Sequence, residues 1–148
     1  MRCKADLQVT ANEFYDLLEE SVKVEMKKPK IKHLKAGMSY EKNLRSGGKN
    51  TRSVKVMIDV ADYPKEFTST ITTLRGGSTK MSYLITENDE GISVTYLEDY
   101  QFKNFIDKLS YYFTAIFFKA KQKRRVKKML YAMEEYIYNK SLKESENE

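Results

Sequence analysis

Few residues in this sequence carry the side chains that catalysis or metal binding asks for, and they are scattered. His33 is the single histidine. No second histidine and no cysteine lies near it, so a zinc site there would have to be built from carboxylates alone, and His33 reads as a surface residue. Cys3 is the only cysteine, which rules out a disulfide within the chain and fits a reducing compartment. It falls on the apolar side of an alternating segment with no base beside it, the setting of a buried, inert thiol. Glu41, Asp59, Glu98 and Asp99 are acids on strand-like runs that could supply a cavity acid or base. Asp59 lies opposite a valine-rich face and is expected in solvent. Glu98 shares its side with Val94 and Tyr96, which makes it the candidate for a polar group inside a cavity, where desolvation would raise its pKa. The competing reading places it on a solvated rim. Gly47-Gly48 and Gly76-Gly77 lack the helix start and spaced lysine of a phosphate loop, and are turn glycines. No cofactor and no metal is expected.

The other chemically distinctive stretch is cationic. Lys119-Ala-Lys-Gln-Lys-Arg-Arg-Val-Lys-Lys128 holds seven basic residues in ten and no acid. The net charge is +6, and the segment from Lys103 onward contributes 11 basic against 6 acidic residues, so the excess is local. A local basic patch says more about partners than a diffuse one does. Three readings follow for Lys119, Lys121, Lys123, Arg124, Arg125, Lys127 and Lys128. The first is a solvated helix flank whose stems cover apolar surface. The second is contact with an anionic membrane surface, aided by the preceding Tyr111-Tyr-Phe-Thr-Ala-Ile-Phe-Phe118. The third, nucleic acid, is the least favoured, because no reading helix with a turn and a partner helix accompanies the cations.

The elements that must position these residues follow from periodicity. Cys3, Ala5, Leu7 and Val9 alternate with polar residues, which predicts a half-buried strand. Thr10-Ala-Asn-Glu13 has the form of a capping box, and Phe14, Leu17, Leu18, Val22 and Met26 give the following helix an apolar face that Pro29 ends. Residues 31–36 allow a further short helical turn, closed by Gly37. From Met38 to Phe102 the period is two, with strands expected at about Met38–Leu44, Arg52–Ala61, Glu66–Leu74, Thr79–Thr86 and Ile92–Gln101. Short separators containing glycine or proline make these hairpins of an antiparallel sheet. Val54, Val56, Ile58 and Val60 form one apolar face. Asn104 to Asp107 offers a second helix cap. Phe105, Leu109, Phe113, Ile116 and Phe117, then Leu130, Met133 and Ile137, mark one long amphipathic helix.

At 148 residues the chain has the length of one domain, expected over 1–142 with a polar tail at 143–148. No apolar run follows Met1, and the longest apolar stretch is far short of a membrane span, so a cytoplasmic protein is expected. Asn139-Lys-Ser141 matches a glycosylation sequon that has no secretion route to serve. The predicted class is α+β: a six-stranded curved antiparallel sheet wrapped around a long C-terminal helix, with one or two short helices after the first strand. Only that last helix is long enough to cover the apolar face of the sheet, and the space between them suits a small-molecule cavity.

This order of elements resembles the helix-grip fold of the START-like (SRPBCC) superfamily. Leu7 to Leu18, Gly37-Met-Ser-Tyr40, Phe105 to Leu109 and Arg124 to Leu130 are similar, more closely, to an uncharacterised bacterial family of unknown function within it. The resemblance covers nearly the whole chain and implies an apolar ligand held between sheet and helix; folds do not fix function by themselves. The leading expectation is therefore non-catalytic binding of a hydrophobic or amphipathic small molecule. Its lining is expected from Tyr40, Phe67, Met81, Tyr83, Tyr96 and Glu98 on the sheet, with Leu109, Phe113 and Phe117 on the helix. The alternative is an interaction module with a filled core that docks through its basic helix. A cyclase-like enzyme with Glu98 as its acid is the weakest reading.

Overall fold

In the computed structural model the backbone is described at residues 1–46, 50–73, 76–101 and 105–147, and the side chains of these except at 45–46, 50–52 and 105–119. The elements run β1 (Arg2–Leu7), α1 (Ala11–Glu25), β2 (Ser39–Ser46), β3 (Asn50–Asp62), β4 (Glu66–Thr73), β5 (Ser78–Asn88), β6 (Gly91–Gln101) and α2 (Phe105–Glu146). All pairings are antiparallel, and the sheet order is β1-β6-β5-β4-β3-β2. The class is α+β, as the periodicity predicts.

Alternation sets the register. Cys3, Ala5 and Leu7 are buried and stand opposite Tyr96, Val94 and Ile92, so the first strand and the last build one inner face. Had either strand slipped by one residue, its whole apolar set would face solvent. The capping box forms as expected: Thr10 Oγ1 accepts from the Glu13 amide at 3.1 Å, and the Thr10 amide donates to Glu13 Oε1 at 2.9 Å. At the other end of α1, Met26 caps the helix and Lys27 takes a left-handed φ of 57°, two residues ahead of Pro29.

Two local expectations are corrected. Residues 31–36 form no helix: Leu34 is buried there, its amide donating to Glu19 Oε2 at 3.3 Å, and Gly37 (φ 93°) turns the chain so that its amide reaches the Ile58 carbonyl at 2.8 Å. A side-chain anchor replaces the helical turn. In β3 the register shifts between Ile58 and Val60. Val60 therefore stands opposite Thr68, while Ala61 stands opposite Phe67; the inward row runs Val54, Val56, Ile58, Ala61 and excludes Val60.

The core joins both helices to the sheet. Phe14, Tyr15 and Leu18 of α1 and Val126, Leu130 and Ile137 of α2 are buried in one cluster with Cys3, Ala5, Leu7, Ile58, Phe67, Ile85, Ile92, Val94 and Tyr96. Val126, Leu130, Met133 and Ile137 follow each other at steps of four, three and four, the inward stripe of α2. This helix has 42 residues and is continuous through Lys119, about 63 Å long at 1.5 Å per residue. It includes Lys143–Glu146, which are exposed. The expected cap at Asn104 to Asp107 and the side chains of Phe105, Leu109, Phe113, Ile116 and Phe117 lie outside the described residues.

Gly91 opens β6 where β1 leaves the sheet. A Cβ there would stand 2.2 Å from the Leu7 carbonyl oxygen and 3.0 Å from the Cα of Gln8, backbone atoms that have no rotamer to yield. Gly91→Ala is expected to lower stability by about 1–3 kcal/mol, as overpacking does. Urea denaturation checks it: the midpoint should fall with the slope unchanged.

Candidate ligand-binding face

The inner face of the sheet has two unlike halves. Where α1 crosses, it is filled: Phe14, Tyr15, Phe67, Ile85, Ile92 and Val94 are all buried. Toward the other end of the strands the same face carries Tyr96, Glu98 and Tyr100 on β6, Met81 and Tyr83 on β5, and Tyr40 and Lys42 on β2, most of them only half-buried. Their common side follows from period two along each strand and from the cross-strand pairs Met81–Glu98, Tyr83–Tyr96 and Tyr40–Val56.

Two carboxylates anchor this half. Glu98 accepts from the hydroxyls of Tyr96 and Tyr100, at 2.5 Å each, one on each oxygen. Glu25, at the end of α1, accepts from the Tyr40 hydroxyl at 2.7 Å and pairs with Lys42 Nζ at 3.3 Å. Tyr83 lies between them. Its ring stands edge-on to Tyr96 at 5.0 Å and 6.2 Å from Phe14, and its hydroxyl has no hydrogen-bond partner among the described residues. Burial, then the charge of Glu98, then that of Glu25, push the Tyr83 phenol up to about 12. The Tyr96 phenol is raised as well, by burial first and the Glu98 hydrogen bond second, and Tyr40 likewise by burial and by Glu25. Each is a neutral hydroxyl at physiological pH, able to donate and to accept.

The expected lining residues thus divide. Tyr40, Met81, Tyr83, Tyr96 and Glu98 come together on this half of the face. Phe67 is buried against Tyr15, with ring centroids 6.3 Å apart, and belongs to the filled half. Leu109, Phe113 and Phe117 are in α2, but their side chains are not among those described. Glu25, Lys42 and Tyr100 join the site without having been expected. Tyr100 was within reach of the alternation that marks Glu98, two residues on; Glu25 carried no such signal, because only the crossing of α1 over β2 brings it to Tyr40.

A third carboxylate, this one buried, serves the fold. Glu19 is 4% exposed and holds Lys23 Nζ and His33 Nδ1 at 3.7 Å in addition to the Leu34 amide. His33 itself projects into solvent, its side chain 71% exposed. Cys3 is buried, with its Sγ 3.8 Å from the Lys123 carbonyl oxygen. Asp59 sits on the outer face and accepts from Thr70 Oγ1 at 2.5 Å. No group of three or more metal-ligating side chains occurs among the described residues.

On α2, Lys121, Lys123, Arg124, Arg125, Lys127 and Lys128 are exposed around the buried Val126; the side chain of Lys119 is not described. No helix among the described residues is long and apolar enough to cross a membrane.

A curved six-stranded antiparallel sheet with one long C-terminal helix is the layout of the helix-grip fold, and comparison with known proteins agrees on that fold. The chain belongs to the family described as Domain of unknown function (DUF3284), which matches residues 1–119. Among solved structures it is similar to the Mll3558 protein of Rhizobium loti, at 10% identity and a TM-score of 0.64 over 90% of this chain and 94% of that one. It is also similar to Ara h 8.0201, a Bet v 1-like allergen, at 14% identity and a TM-score of 0.63 over 94% and 97%. A protein of unknown function from Staphylococcus aureus, SA2116, matches at 9% identity and a TM-score of 0.59 over 97% and 94%. At these identities the likeness establishes the fold. No curated protein matches the chain.

The raised phenols set a pH dependence. Below pH 10 the tyrosines are protonated both folded and unfolded, and the stability is fully present. Above it the unfolded chain ionises first, while Tyr83 holds its proton to about 12, so stability falls as pH climbs through that window. Urea midpoints measured across it should drop, with phenolate absorbance rising together with loss of the folded circular dichroism signal. Phenolate that appears in full while the fold persists would contradict the burial of these hydroxyls.

Proposed function

We propose that this protein binds, without chemically changing, a hydrophobic or amphipathic small molecule on the inner face of its sheet, under α2. One observation carries the reading: half of that face carries hydroxyls and carboxylates, from the buried Tyr96 through the half-buried Tyr40, Tyr83, Tyr100 and Glu98 to the exposed Glu25. A core meant only to pack is commonly apolar, because withdrawing polar groups from water is tolerated only where hydrogen bonds such as those of Glu98 and Glu25 compensate it. Polar groups convergent on an otherwise apolar concavity are the usual form of a small-molecule site. The helix-grip neighbours support the reading through fold alone.

The test is a pair of mass spectra, native and denaturing, on the protein as purified. A mass excess in the native spectrum only is expected, from a molecule held without a covalent bond. Absence of any excess, together with no rise in melting temperature across a panel of fatty acids, fatty alcohols and alkyl amines, would overturn the proposal.

The exposed cations of α2 favour a second reading as a companion to the first. Six described cations on adjacent turns form no ion pair among the described residues. We propose that they meet anionic headgroups, at about 1 kcal/mol for each engaged side chain. Sedimentation with anionic but not neutral vesicles, abolished by high salt, is the expected result. Equal sedimentation with both kinds would refute it.

A further inference from the structure

The proposed ligand site has a definite charge preference, and this step rests on that site being real. From Tyr83, Tyr96, Tyr100 and Glu98 together we infer that the molecule bound there carries a cationic ammonium head, seated against the tyrosine rings with the Glu98 carboxylate as its counter-ion.

Three features of the face point this way. Aromatic rings attract a cation through the negative potential of their faces when it lies within about 6 Å of the ring centre. Tyr83 and Tyr96 are 5.0 Å apart and set at 67°, so they form two adjoining walls of one corner rather than a flat stack. Tyr100 is held beside them by the same carboxylate.

Glu98 supplies the charge. Its two oxygens offer about four acceptor sites and the tyrosine hydroxyls use two, which leaves room for a donor or a cation. Among the described side chains of this face the only cation is Lys42, and it is taken up by Glu25. The terminal ammonium of Met1 is nearby, but it donates to the backbone carbonyl of Glu98 at 2.8 Å.

The Tyr83 hydroxyl, which has no partner among the described residues, is the third feature. It lies in the joint field of Glu98 and Glu25, and that field is negative, since both carboxylates disfavour its ionisation. An anionic head placed there would meet the same repulsion as a phenolate. Among the described residues no side-chain cation pairs with Glu98, and an ammonium head would supply that counter-charge.

Isothermal titration with three probes of equal chain length and different heads decides the matter: decyltrimethylammonium, decanol and decyl sulfate, each below its micelle concentration and in salt high enough to screen the basic face of α2. The ammonium is expected to bind about tenfold tighter than decanol, and the sulfate more weakly than either. Glu98→Gln should remove that tenfold preference of the ammonium over decanol. Tyr83→Leu, which deletes a ring and keeps the carboxylate, should reduce it in the same direction and serves if Glu98→Gln does not fold. Decanol binding as tightly as the ammonium would overturn the cationic preference while leaving the ligand site standing. Failure of all three probes would overturn the site itself. A preference that persists in both variants would place the cation elsewhere and overturn the assignment to Glu98.

Discussion

The burial of Leu130 and Ile137 from α2 and of Phe14 and Leu18 from α1, against the inner face of β1, β5 and β6, is the constraint on which the rest depends. A six-stranded sheet with alternating side chains has one apolar face, and that face is unstable in water until something covers it. Here two helices share the task. The first lies across one end of the strands, and the second half of the last helix packs beside it at β1. Because Leu130 is wholly buried, truncating such a side chain would cost on the order of 2–5 kcal/mol, a large part of the stability of a domain this size. The placement of every polar group on the inner face is downstream of that packing.

Once α1 fills one end, the other end of the same face is free to be different. The strands do not change period there; they change composition. On β6 the inward row runs Ile92, Val94, Tyr96, Glu98, Tyr100, from aliphatic to aromatic to charged within five positions. A gradient of that kind along a single strand gives a face with an apolar floor and a polar upper wall, the combination an amphipathic molecule would require of the proposed site. Its polar members are positioned by hydrogen bonds to each other, Tyr96 and Tyr100 to Glu98 and Tyr40 to Glu25, so the hydroxyls are oriented before any ligand arrives. Preorganisation of this sort lowers the entropy lost on binding.

Much of this was legible in the sequence, and the reason is periodicity. Alternation in Cys3–Val9 and Ile92–Gln101 placed β1 and β6, and it placed Glu98 on the inward side with Tyr96. The residues of the Thr10–Glu13 capping box mark the start of α1 to the residue. What escaped depends on contacts distant in sequence. The slip at Ile58–Val60 is set by pairing with β4 and leaves the local alternation of valines looking regular. Glu19 sits on a helix face with no sign that a loop amide and two basic groups will reach it. Glu25 and Tyr40 are 15 residues apart and meet only because a helix ends over an edge strand. The filled role of Phe67 was likewise invisible, since pocket wall and core call for the same residue types until the covering element is known.

The charges of the molecule are segregated, and this bears on recognition. The net charge of +6 and the exposed cations of α2 dominate the field far from the surface, and that field attracts anions. The described inner face is the reverse, with Glu98 and Glu25 against the single cation Lys42. Salt screens the outer field over about 8–10 Å, whereas partly buried charges are screened much less. Long-range attraction and short-range selection therefore act on opposite signs. Anionic headgroups would gather at the helix, while a cationic head of an amphiphile would be stabilised only after reaching the tyrosines. In the proposed reading a membrane rich in anionic lipid, which itself concentrates cationic amphiphiles, would satisfy both at once, and the two surfaces would be complementary parts of a single route from bilayer to binding face.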